Sequence, residues 1–108
     1  MLRDQQDYLM RMIAIAAAAV ARLRARLLEG DAPDEIVQEA RAAQGELLGK
    51  DAGMLRMLDP SSAAHVLGDK LRLEQWAELL RVEAEAQRRA GREAEAQSLE
   101  TRAASLSR

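Results

Sequence analysis

Ser61, Ser62 and His65 place two hydroxyls and the chain's single imidazole within five residues, the residue types of a nucleophile and its base. Acyl transfer also needs a third group to orient the imidazole and paired donors for the oxyanion, and neither stands nearby in the sequence. The expected roles are plainer: Ser61 or Ser62 caps a short helix and His65 rests on its surface. Tyr8 is expected to pack at the edge of an apolar seam with its hydroxyl in water. A di-iron helical site requires Glu-x-x-His units on facing helices, but Ser62 stands where the Glu before His65 would be. With no Cys in the chain, disulfides and thiolate zinc sites are excluded. No catalytic, cofactor-binding or metal-ligating residue is assigned, no cofactor is expected, and the chain does not read as an enzyme.

The charged residues suggest structural roles. Glu74, Glu78 and Glu85 share an arc of one helix with Arg81 and read as a solvated face. Glu83 differs, because it projects between a seam starting at Leu73 and a second stripe made by Leu79, Ala86 and Ala90. It is the candidate buried carboxylate, and burial would require a partner, expected to be an Arg. Arg11, Arg22 and Arg26 share one arc of the first helix, where something anionic should face them; internal Glu residues are the simplest choice and a nucleic acid the sharper one. Against the second stand a formal net charge of −2 and the absence of an aromatic stacking platform. The 14 Arg against two Lys read as coding bias.

These residues must be positioned by helices. Of 108 residues, 22 are Ala and 16 are Leu, while Ile, Val and Thr together number eight, too few for a sizeable sheet. The expected fold is all-α, a single helical domain over residues 1–108. Four main helices are expected at about 4–29, 32–48, 70–90 and 92–106, with two short helical turns between, arranged as a bundle of helical hairpins. Gly30, Gly49 and Gly91 mark borders, and Asp31 and Asp69 are expected to cap the helices that follow them. Gly45 weakens the second helix by about 1 kcal/mol relative to Ala. With no Phe, one Trp and one Tyr, the core must rely on Leu, Met and small residues, and Trp76 is its bulk anchor.

The first helix carries two apolar faces. Leu9, Ile13, Ala16, Val20, Leu23 and Leu27 alternate steps of four and three and form the core seam. Ala14, Ala18, Ala21 and Ala25 follow the same rhythm roughly 140° away around the helix. Flanked by Met10 and Leu28, that second face is the candidate interface. A helix of roughly 39 Å exceeds the diameter of a compact domain whose radius of gyration is near 13 Å. Its end is expected to protrude or to be covered by another chain, most simply a second copy in a two-fold dimer. The open alternative is that alanine, the best helix former, simply sits in water.

The segment Asp7-Tyr8-Leu9-Met10-Arg11-Met12-Ile13, the central Leu47-Leu48-Gly49-Lys50-Asp51, and Ala77-Glu78-Leu79-Leu80 with Glu83 and Ala90-Gly91-Arg92 resemble an uncharacterised family of small bacterial all-helical proteins. The resemblance implies a fold and no activity. The last two helices also resemble a tetratricopeptide-type hairpin, with Gly91 at the turn and Ala84, Ala96 and Ala103 at the small packing positions. Gln87 and Glu100 stand where that repeat carries aromatics, and one unit cannot build a solenoid.

The longest apolar run, Met12 to Ala21, is half of the roughly 20 residues that cross a bilayer, and Asp4 and Asp7 are foreign to a secretory leader. A bacterial cytoplasmic setting is expected, without membrane association. The sequence names no ligand or process. Its preferred reading is a non-enzymatic helical interaction module, a homodimer through the long first helix, with a further protein partner left open. The alternative is a small regulatory nucleic-acid-binding protein using the Arg11, Arg22 and Arg26 arc.

Overall fold

The computed structural model describes residues 2–107, and no strand occurs among them. The chain is all-α: α1 (Leu2–Glu29), α2 (Pro33–Leu48), a 3-10 turn (Gly49–Asp51), α3 (Ala52–Met57), α4 (Pro60–Leu67), α5 (Lys70–Arg89) and α6 (Glu93–Leu106). The central segment, read as two helical turns, forms two short α-helices of six and eight residues. Among the described residues no helix is long and apolar enough to cross a membrane.

Helix ends follow local chemistry. Gly30 and Gly91 take φ of 80° and 83°, a region that costs residues with a Cβ, and the chain closes on itself behind each helix. The Asp31 N–H donates to Arg26 O at 3.1 Å and the Arg92 N–H to Gln87 O at 2.9 Å. Asp69 caps α5 by accepting from the Arg72 N–H at 2.9 Å.

Two expected caps are corrected. Ala32, not Asp31, is the N-cap of α2 and makes no side-chain cap bond. Pro33 at the first helical position has no N–H to satisfy and sets the border one residue later, leaving the Asp31 carboxylate to accept from Arg26 Nε at 2.8 Å. In α4 the cap is Asp59 rather than a serine, because Pro60 again takes the first helical position. Asp59 accepts from the Ser62 N–H at 3.1 Å and from the Ser62 hydroxyl at 2.6 Å. α2 runs through Gly45 to Leu48, and the Gly49 N–H donates to Gly45 O.

One continuous cluster of buried side chains draws on all six α-helices, from Leu23 and Leu27 through Ile36, Leu47, Leu55, Ala63, Trp76 and Leu79 to Ala103 and Leu106. Trp76 is wholly buried, and small residues fill the helix crossings: Ala77, Ala84, Ala96 and Ala103 have no exposed surface. That lets α5 and α6 lie close.

Three of the arginines have a structural use. The last carbonyls of a helix lack partners within it, and here guanidinium groups from other helices supply them. Arg89 of α5 donates to Leu27 O at the end of α1, and Arg72 Nε to Leu47 O of α2 at 2.8 Å. Arg102 of α6 donates to Leu55 O at 2.8 Å and Leu58 O at 2.9 Å, while its guanidinium lies 5.2 Å from the Trp76 ring centroid. A planar fork meets two carbonyls and a ring face at once, and an ammonium does not. Arg102→Lys is therefore expected to lower stability by about 1–2 kcal/mol in urea unfolding, the scale of one charge-assisted hydrogen bond. A loss indistinguishable from zero would contradict this role.

The molecule measures 45 × 27 × 22 Å, with a radius of gyration of 13.7 Å. The long dimension matches the 28 residues of α1, roughly 42 Å at about 1.5 Å per residue. The seam is buried from Ile13 onward, Leu9 is only partly covered, and residues 3–8 are exposed, so the first turns overhang the rest of the molecule.

Candidate functional site

α1 is sided by its neighbours: α2 packs along one flank and α5 along the other. On the α2 flank, Tyr8, Met12, Ile15 and Ala19 follow steps of four, three and four and form one wall of a groove. Ala42, Ala43 and Leu47 of α2 form the other. Tyr8 and Ile15, which flank Met12 on that wall, are each 59% exposed. The groove carries opposite charges on its two sides. Arg11 and Arg22 stand on the α1 wall and Glu39 and Glu46 on the α2 wall. Among the described residues Arg11, Arg22 and Glu46 form no ion pair.

The predicted alanine face lies elsewhere on α1. Ala14, Ala18, Ala21 and Ala25 are all exposed, and no other described segment of the chain covers them. Leu28, at the end of the same side, is 86% exposed. The arginine arc is divided: Arg26 binds Asp31, Glu35 and Glu39, whereas Arg11 and Arg22 remain over the groove.

A second polar centre lies across α2. Glu83 is 3% exposed, and its carboxylate accepts from Arg41 Nε at 2.9 Å and from the Gln44 amide at 2.8 Å. Arg56 of α3 donates to Arg41 O at 3.0 Å, which draws it to the same place. With Trp76, Leu80, Glu95, Leu99 and Arg102, these residues line a cleft of about 390 Å³ between α2, α3, α5 and α6. Burial holds the Arg102 guanidinium below its ordinary value, partly offset by Asp59. Gln44 was the missed partner, although its position had a signal: a polar residue between Ala40 and Leu47 on the buried stripe of α2. Arg41 and Arg56 carry no comparable signal, since both are exposed positions on amphipathic helices.

Ser62 serves the Asp59 cap and His65 is exposed at the end of α4. Glu78 is more engaged than a solvated face suggests, bonding both Arg24 of α1 and Arg81 at 2.7 Å, because α1 lies against that side of α5. Gln87 is buried and accepts from Arg92, and Glu100 accepts from Arg88 at 2.8 Å. The bond from Arg88 holds the Glu100 carboxyl below its ordinary value of 4.5, and the Arg88 guanidinium is raised by Glu100 and Glu93 in turn. The Ser62 hydroxyl, then its N–H, likewise holds Asp59 below 3.8.

Both carboxyls bind protons more weakly in the folded chain than in the unfolded one, so the unfolded state carries more protons in their titration range and stability rises with pH there. The urea midpoint is expected to be flat with respect to these two groups above about pH 6. It should fall as pH drops through 4.5 and 3.8 toward the lower folded-state values. Both sites are exposed, so the loss is modest. An Asp59→Asn, Glu100→Gln double variant should show a shallower acid slope than the wild type; an identical slope would contradict the assignment.

Comparison with protein-family models, with curated proteins and with solved structures returned no match to this chain.

Proposed function

We propose that this protein is a non-enzymatic helical interaction module that forms a two-fold homodimer by laying the α1–α2 groove of one copy against that of another. The supporting observation is the groove itself: exposed Tyr8 and Ile15 beside small Ala19 and Ala42, with cationic and anionic walls. Apolar area of this kind drives association, and facing charges set its orientation. A two-fold axis along the groove puts each α1 over the partner's α2, so that Arg11 meets the partner's Glu46 and Arg22 comes over the partner's Glu39, a carboxylate shared with Arg26 of its own chain. An axis across the groove would set α1 over α1 and oppose like charges. Charge matching thus selects one geometry, in which two α1–α2 hairpins stack face to face as a four-helix bundle. The acidic wall beside Arg11 and Arg22 argues against nucleic acid as the occupant.

The face of Ala14, Ala18, Ala21 and Ala25 is separable from this surface. Alanine exposure is what helix propensity favours in water, and no rows of opposite charge flank it to select a partner. Sedimentation equilibrium at micromolar concentration should return twice the chain mass for the wild type and for Ala18→Glu/Ala21→Glu, and the single mass for Ile15→Glu. A monomeric wild type, or an Ile15→Glu variant that still dimerises, would overturn the reading. Dissociation by Ala18→Glu/Ala21→Glu alone would move the interface to the alanine face.

A further inference from the structure

We propose that the cleft around Glu83 binds a small organic monoanion, a carboxylate with an apolar body, through the guanidinium groups of Arg41 and Arg56. This site lies on the side of α2 away from the α1–α2 groove, and it is independent of dimer formation. Its charge is the first reason. Three guanidiniums, Arg41, Arg56 and Arg102, share the cleft with two carboxylates, Glu83 and Glu95, leaving one positive charge in excess. A monoanion balances that charge, whereas a dianion such as phosphate brings more negative charge than the cleft has to spare, next to two carboxylates.

Donor capacity is the second reason. Each guanidinium has five N–H groups in a fork suited to a planar carboxylate. Among the described residues Arg102 uses both terminal nitrogens on the carbonyls of Leu55 and Leu58, but Arg41 donates only from Nε to Glu83 and Arg56 only from Nη2 to Arg41 O. Most of their donors point to no protein acceptor. Arg41 is oriented by its bond to buried Glu83, so its fork is held rather than swept through solvent.

Apart from Gln44, whose amide is taken by Glu83, the remaining lining is apolar. Half-buried Leu99 offers a surface to a short hydrocarbon or ring, over the buried Leu80 beneath it, and a volume of about 390 Å³ falls within the roughly 300–1,000 Å³ range of small-molecule sites. Trp76 belongs to the same lining, and its wholly buried indole N–H is the one buried side-chain polar atom among the described residues with no acceptor. A buried donor without a partner is costly and calls for an explanation, which a bound polar group would supply.

The chain's single Trp makes the test direct. The wild-type protein is titrated with hexanoate, with 1-hexanol and with inorganic phosphate, and Trp76 fluorescence and the heat of binding are followed. Saturable binding of hexanoate near or below about 1 mM is expected, with 1-hexanol and phosphate at least tenfold weaker. Arg56→Gln should weaken hexanoate by about tenfold, the loss expected of one charge-assisted bond, and should remain cooperatively folded with an unfolding midpoint only slightly lowered by loss of the bond to Arg41 O. Glu95→Gln, which removes a negative charge from the cleft, should tighten it several-fold. The absence of saturable hexanoate binding would overturn the proposal. So would 1-hexanol or phosphate binding as well as hexanoate, or insensitivity to both substitutions.

Discussion

Replacing Trp76 by alanine is expected to lower the unfolding free energy by about 3–5 kcal/mol, the range for emptying a large aromatic site. Trp76 is wholly buried at the junction of α5 with its neighbours and is the only Trp in a chain without Phe. The buried cluster it belongs to is mostly Leu and Ala, which lack the reach to refill the space. The substitution also removes the ring under Arg102, whose guanidinium binds the end of α3. Small domains are stable by about 5–15 kcal/mol, so Trp76→Ala should be partly unfolded under mild urea. Trp76→Phe provides the contrast. Because the indole N–H has no acceptor, its removal forfeits no hydrogen bond, and the loss should stay below about 2 kcal/mol. Urea titration followed by far-ultraviolet circular dichroism compares the three. Equal losses for Ala and Phe would show that packing at this site has been misjudged.

Glu83→Ala comes next, with an expected loss of about 1–3 kcal/mol. The magnitude is set by Gln44. Arg41 is half-exposed and can turn its guanidinium into water, but Gln44 is buried and loses the acceptor for its amide. Glu83→Gln keeps an acceptor oxygen in place and should cost less than the alanine. A Glu83→Leu, Gln44→Leu double variant should recover part of the loss, since replacing both members of a buried polar pair is cheaper than removing one. A double variant no more stable than Glu83→Ala would imply that the bond from Arg41, rather than the orphaned amide, dominates.

The ends of the helices were legible because their chemistry is local. Gly30 and Gly91 could be recognised from the left-handed turn that a glycine tolerates, and Asp69 from the N–H groups it can reach three residues on. Asp31 and the serines before His65 were misread for an equally local reason: a proline at the first helical position claims the border, and the residue just before it becomes the cap. The groove was not legible. Tyr8, Met12 and Ile15 sit beside the core seam of α1, where they resemble its margin until α2 brings Glu39, Ala42 and Glu46 alongside. The cleft was half legible. Glu83 stands out between two apolar stripes and Gln44 interrupts another, whereas Arg56 reaches the site only because α3 folds back against α2. The trans-capping by Arg72, Arg89 and Arg102 depends on which helix ends lie opposite, and composition cannot supply that.

Mixing two charge-exchanged chains tests self-association through the groove most directly. In Arg11→Glu each acidic α1 position faces the partner's Glu46, and in Glu46→Arg each α2 position faces the partner's Arg11, so either chain alone should dissociate. Turning two attractions into two repulsions is worth about 1–3 kcal/mol, or roughly fivefold to 150-fold in dissociation constant. An equimolar mixture restores both facing pairs, and sedimentation equilibrium in low salt should show a heterodimer forming where neither parent dimerises. Two variants that both associate like the wild type, or a mixture that stays at the 11.9 kDa of a single chain while the wild type pairs, would contradict it.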